Sequence, residues 1–156
     1  RRLSHLAILG YSMPGAIIAI GILKLNSSIN GFISLMLIGS ISGLIFSYVV
    51  RFLAVSWQPI DSSMEKLGSN INKASRTLSV SPLKSLIQLN YPILKKPLLI
   101  ACLIVFIDIS KELPLTLILR PFNFDTLSTL TYDLISQAQF FQSSVPSLLI
   151  ICISLP

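Results

Sequence analysis

The chain has little of what builds a catalytic or metal site. Of its 156 residues only six are acidic and one, His5, is a histidine. Charged residues make up 12%, about half the quarter that is usual in soluble domains. A single histidine near a chain end reads as a polar surface residue, and no H-E-x-x-H or G-x-S-x-G pattern surrounds it. No G-x-x-x-x-G-K-[ST] phosphate loop occurs either, so nothing in the chain suggests ATP hydrolysis. Cys102 and Cys152 each lie inside an apolar run with no C-x-x-C partner. That excludes a disulfide framework or zinc knuckle and leaves buried free thiols as the expectation. An enzyme, a bound metal and a cofactor are all unexpected.

Apolar sequence is what the chain has in quantity. Hydrophobic residues reach 53% and the mean hydropathy is +0.79. Several runs approach the roughly 20 residues that a helix needs to cross about 30 Å of hydrocarbon. They lack the strict alternation of barrel strands, and only helices and closed barrels satisfy their backbones in lipid. The expected fold is therefore all-α, a polytopic helical membrane protein. The net charge of +6 sits in clusters between apolar runs, as topology signals do. It is not spread over a polar face with interleaved aromatics, so nucleic acid is not an expected partner.

Leu6 to Leu25 is the first candidate span, with a kink or unwound turn expected near Ser12 to Gly15 because Pro14 removes a backbone donor and is followed by Gly15. Asn26 to Asn30 reads as a polar turn, and Gly31 to Val55 as the second span. From Ile60 onward the apolar residues fall at 60, 64, 67, 71, 74 and 78, one stripe of a helix lying outside the bilayer core. Ser62 and Glu65 fit a capping box at its start. Ser79 to Ser81 makes a break, and Ser81-Pro82 restarts a helix with a hydroxyl cap and a proline in the first turn. The third span is expected over Pro97 to Leu119, bent by Pro92 ahead of it. Arg120 to Thr126 reads as a surface turn, Leu127 to Phe141 as a short helix, and Val145 as the start of a last span. The missing initiator Met and the shortness of that last run suggest a piece of a longer chain.

Nine of the twelve basic residues fall on one side of these spans: Arg1, Arg2, Arg51, Lys66, Lys73, Arg76, Lys84, Lys95 and Lys96. Lys24 and Arg120 fall on the other, and Lys111 lies within a span. By the positive-inside rule residues 56 to 96 are cytoplasmic. A capped helix-turn-helix rooted in two spans suits a partner that pushes on it; a basic amphipathic helix lying on lipid would suit the same residues.

Asp108, Lys111 and Glu112 are charges inside the third span, which cost about 3 kcal/mol each on insertion scales and so need a reason. Asp108 and Glu112 are four apart and expected on one helix face, with Lys111 offsetting Asp108. Together with Pro114, which suggests a broken helix facing protein or a cavity, they are candidate pathway or gate residues. A charge cluster that fixes helix packing is the structural alternative.

Lys73-Ala74-Ser75-Arg76-Thr77-Leu78-Ser79-Val80-Ser81-Pro82-Leu83, followed by Leu89-Asn90-Tyr91-Pro92, resembles the coupling loop of type I ABC importer permeases, whose pattern is Glu-Ala-Ala, a later glycine, and Leu-Pro. Ala74 and Pro92 agree with it. Lys73, Ser75, Ser79 and Tyr91 stand where the family has Glu, Ala, Gly and Leu. The segment from Phe106 through Lys111 and Pro121-Phe122-Asn123-Phe124-Asp125-Thr126 to Leu127 is similar to the ferric-iron branch of that family, as is Gly10-Tyr11-Ser12-Met13-Pro14-Gly15 with Ala19-Ile20-Gly21. The resemblance implies that residues 1–156 are a fragment of the type I transmembrane domain, matching its C-terminal half. Residues 61–94 would be its coupling loop, in a multi-pass protein of the bacterial inner membrane.

It further implies a dimeric cytoplasmic ATPase gripping Lys73, Ala74, Ser75, Ser79, Pro82 and Pro92, a second permease half, an external binding protein that selects ferric iron, and lipid around the spans. The same architecture importing thiamine, a polyamine, phosphonate or sulfate stays open, as does an ion-coupled secondary transporter using Asp108, Lys111 and Glu112. The orientation has a direct test. In the full-length parent chain in intact cells, a cysteine replacing Asn123 should react with a membrane-impermeant maleimide, whereas one replacing Lys84 should react only after the membrane is opened. The reverse labelling would invert the topology.

Overall fold

The computed structural model describes residues 11–28, 39–77 and 81–155. The fold is all-α, with no strand among the described residues. In chain order the elements are α1 (Gly15–Ser28), α2 (Ile41–Thr77), α3 (Pro82–Ser85), a π-helical turn (Leu86–Asn90), α4 (Tyr91–Ser110), α5 (Pro114–Leu119), α6 (Leu127–Ser136) and α7 (Phe140–Ser154). α2 pairs most extensively with α4, α6 packs on α7, and α5 packs against α1.

The expected break near Pro14 is present. Tyr11 and Ser12 are helical, Met13 and Pro14 are not, and α1 starts afresh at Gly15, its Ile17 and Ile18 amides both donating to the Pro14 carbonyl. α1 runs on through Ser28, so Asn26, Ser27 and Ser28 of the expected polar turn are helical. Gly39 turns the chain into α2 with a positive φ of 62°, a conformation glycine adopts without the Cβ penalty of other residues.

α2 is the main departure from expectation. Residues 31–38 of the expected second span lie outside the described residues and Gly39–Ser40 form a bend; from Ile41 the rest of that span and the amphipathic segment to Thr77 are one uninterrupted helix of 37 residues, with Pro59 in its interior. At 1.5 Å per residue it is about 55 Å long, well beyond the roughly 30 Å of a hydrocarbon core. Its stretch Ile41–Glu65 is long and apolar enough to cross a membrane. The capping box at Ser62 and Glu65 does not form, because the helix does not begin there. Ser62 Oγ instead donates back to the Gln58 carbonyl at 3.0 Å, and Ser63 Oγ to the Pro59 carbonyl at 2.8 Å. A serine inside a helix has its own carbonyls within reach, and here the flanking turns keep the chain helical past the proline. Of the predicted amphipathic stripe, Ile60 is half-buried and Met64 exposed; its members from Leu67 to Leu78 have side chains outside the described residues.

Ser81 does cap the restart, accepting from the Lys84 amide at 3.4 Å. Pro92 does not bend a span from within. It occupies the first turn of α4, and the irregularity falls just before it, in the π-helical turn. A proline cannot donate to the carbonyl four residues back and crowds it, and a wider turn relieves both problems.

The third expected span is two helices, α4 and α5, separated at Lys111–Leu113 with Pro114 in the first turn of α5. The turn at Arg120 to Thr126 forms as expected, Asn123 taking a positive φ of 57°. Thr126 then caps α6, sharing reciprocal bonds with Thr129. The helix expected to reach Phe141 stops at Ser136, because Ala138 turns the chain with a φ of 59°. The last helix therefore begins at Phe140 rather than near Val145.

A small core joins α1, α2 and α5 through Ile18, Ala19, Ile22, Leu44, Leu115 and Leu119. Phe52 and Ala101 are buried as well, but many apolar side chains elsewhere point outward. Leu99, Leu103 and Phe106 stripe α4, and Val145, Leu148 and Ile151 stripe α7, each more than half exposed. Such continuous apolar surface belongs against lipid or further helices. Cys102 and Cys152 lie on these outward faces as free, exposed cysteines rather than buried ones.

Candidate functional site

Two interruptions of helix meet at one ion pair. Arg51 sits within the apolar part of α2 with its side chain only 16% exposed. Its Nε lies 3.2 Å from Glu112 Oε2, and the Glu112 side chain is 8% exposed. Nε is not aligned for a hydrogen bond and has no other partner; the attraction there is of charge to charge. The guanidinium is anchored on its other side, where Nη1 donates to the Met13 carbonyl at 3.0 Å. That carbonyl belongs to the non-helical Met13–Pro14 step, where an intrahelical donor is missing.

Gly15 completes the contact. A Cβ built on it would overlap the Glu112 carboxylate and crowd the Arg51 guanidinium. α1 can come this close to the pair only because the residue has no side chain.

Glu112 lies in the gap between α4 and α5. Its amide donates to the Ile109 carbonyl at 3.1 Å, and its Oε1 accepts from the Leu115 amide at 3.3 Å. Its own carbonyl accepts from Thr116 Oγ1 at 2.9 Å and from Ser128 Oγ at 2.8 Å. Thr116 thus gives its only hydroxyl proton to Glu112, so in the 2.6 Å contact between Tyr48 and Thr116 the tyrosine is the donor. Through side chain and backbone, Glu112 ties together the end of α4, the start of α5, the start of α6 and the middle of α2.

Asp108 and Glu112 have different partners. α4 ends at Ser110, so the four-residue spacing no longer places them on one face. Asp108 pairs with Lys111 at 3.0 Å, as the sequence suggested, with Lys111 54% exposed and Asp108 14%. Asp108 also lines a cleft of about 570 Å³ between α2 and α4, together with Tyr11, Trp57, Gln58, Asp61 and Glu65. Among the described residues no group of three or more His, Cys, Asp or Glu side chains is arranged to hold a metal ion.

Of the remaining candidates, Pro14 and Gly15 form the α1 break beside Arg51, and Pro114 opens α5. Lys73, Ala74 and Ser75 lie in the last turns of α2 and Pro82 opens α3; the side chains of these four, and the whole of Ser79, lie outside the described residues. Sequence reasoning missed Arg51, Tyr48, Thr116 and Ser128. The count of basic residues places Arg51 among the cytoplasmic topology charges, although it lies inside an apolar run. The test that singled out Asp108, a charge that must find a partner in the span, applies to it equally.

Comparison with known proteins adds one relationship. The chain is similar to a transport permease. The Fe(3+)-transport system permease protein FbpB 2 of Haemophilus influenzae is 26% identical over 111 residues, which are 71% of this chain and 22% of that protein. The chain thus spans about a fifth of the relative's length. No family model and no solved structure matches.

Gly15 and Gly21 make a controlled pair on α1, since nothing lies within 4 Å of a Cβ at Gly21. Gly15→Ala should lower the unfolding free energy of the full-length chain in detergent by about 1–3 kcal/mol, the usual range for overpacking. Gly21→Ala should leave it unchanged or slightly raised, as expected for a helix interior. Equal effects would mean that α1 does not rest on the ion pair.

Proposed function

We propose that this chain is part of the membrane permease of an ATP-driven importer in the bacterial inner membrane. Ferric iron is its cargo, delivered by an external binding protein. The observation that carries the reading is the length and continuity of α2. One helix includes Ile41–Glu65, long and apolar enough to cross a membrane, and runs on to Thr77, through Lys73, Ala74 and Ser75 of the coupling-loop resemblance. A partner that grips residues 73 to 92 therefore holds a rod whose other end contains Arg51 and Tyr48. The named function of the ferric-ion permease relative and the resemblance of Lys111 to Leu127 to the same branch support the cargo.

In this reading the chain contributes no chemistry to ATP. A dimeric ATPase closes on the coupling segment of this chain and on the matching segment of a second permease half. The rod tilts, and the broken helices α4–α5 and the α1 break rearrange around the pathway. Asp108, Lys111, Glu112 and Pro114 are the residues assigned to pathway or gate. Segment 56–96 lies on the cytoplasmic side in a multi-pass arrangement.

The test is site-directed crosslinking in the full-length parent chain, with single cysteines at positions 74 to 79 and the ATPase encoded beside it. Crosslinks that change in yield at least severalfold with ATP are expected. A folded protein that gives no crosslink at any position would end the importer reading and return the segment to a lipid surface or another partner.

A further inference from the structure

Building on the permease reading, we propose that Arg51 is a switch residue that exchanges Glu112 for Asp108 as α2 moves against α4. A guanidinium in a span cannot be left without a counter-charge, so any motion that parts Arg51 from Glu112 needs a second carboxylate within reach. The structure supplies one. Asp108, in the last turn of α4, lines the same cleft as Ala54, Val55 and Gln58, in the turns of α2 that directly follow Arg51. Its present partner, Lys111, is more than half exposed, and such a pair is weakly held. A displacement of about one helical turn, a step that packed helices make between discrete arrangements, would set Arg51 against Asp108 and free Lys111 to meet Glu112. Both arrangements keep all four charges paired.

The exchange also explains the two anchors outside the ion pair. In the present arrangement Arg51 holds the Met13 carbonyl, and the missing Cβ of Gly15 leaves room for it. Departure of Arg51 releases that carbonyl, so the α1 break loosens in the same step. Movement begun at the Thr77 end of α2 is thereby reported to α1, with no direct contact between α1 and the coupling segment required.

The experiment uses the full-length parent chain with its ATPase in proteoliposomes. The double variant D108K/K111D keeps the Arg51–Glu112 pair and the Met13 contact but sets a lysine against Arg51 in the second arrangement. It should insert and fold, yet lose at least tenfold in ATP-dependent uptake. D108E keeps a carboxylate at that position and should hold uptake within about threefold of the unmodified protein.

Full uptake by the double variant, or a D108E variant as inactive as the double, would overturn the exchange. Should the double variant fail to fold, D108N decides, because it leaves the Arg51–Glu112 pair intact. With cargo absent, ATP should change the alkylation rate of a cysteine at Gln58 in the parent background and not in D108N; an unaltered response would overturn the proposal. If the unmodified protein shows no ATP-dependent uptake or alkylation change, the permease reading itself has failed, whatever the variants do.

Discussion

The fold depends on a buried charge that must be neutralised. Arg51 lies in an apolar stretch of α2 with its side chain 16% exposed, and removing its partner costs about 3–5 kcal/mol in comparable buried pairs. Arg51 meets that requirement from two directions, through the Glu112 carboxylate and the Met13 carbonyl. Each partner lies where a helix is interrupted. The interruptions at Met13–Pro14 and Lys111–Leu113 expose polar backbone that lipid would punish, and in α1 the guanidinium itself supplies the donor. Broken helices and charged residue thus satisfy one another.

The consequence for packing is a junction rather than a bundle. α1, α2 and α5 share the small core of Ile18, Ala19, Ile22, Leu44, Leu115 and Leu119. Glu112, with Thr116, Ser128 and Tyr48, fastens α4, α5 and α6 to it. Such a junction is directional. Apolar contacts tolerate sliding, whereas an ion pair and its aligned hydrogen bonds hold one register at a time. α2 leaves this junction and runs without a break to Thr77, so its two ends move together.

Much of this was legible in the sequence where local chemistry decides. The break at Pro14, the serine cap ahead of Pro82, the turn from Arg120 and the Asp108–Lys111 pair follow from proline geometry, hydroxyl reach and charge spacing within one turn. Continuity of α2 was not legible, because Ser62, Glu65 and the change in polarity after Trp57 are what a helix start looks like. Only the absence of a break at Pro59 distinguishes the two cases. Arg51 was misassigned because a counting rule for loop charges does not ask whether the charge lies in a loop. Its partners stand 38 and 61 positions away, a separation that no local pattern reveals. The turn at Ala138 was likewise silent, since alanine carries no mark of a positive φ.

The most direct test of the account is a double-mutant cycle on the unfolding free energy of the full-length chain in detergent, using Arg51→Met, Glu112→Met and the two combined. Each single change should cost about 3–5 kcal/mol by stranding the other charge, and the double variant should recover most of one of these losses. Additive losses in the double variant would contradict it, for they would mean that Arg51 and Glu112 stand side by side without depending on each other.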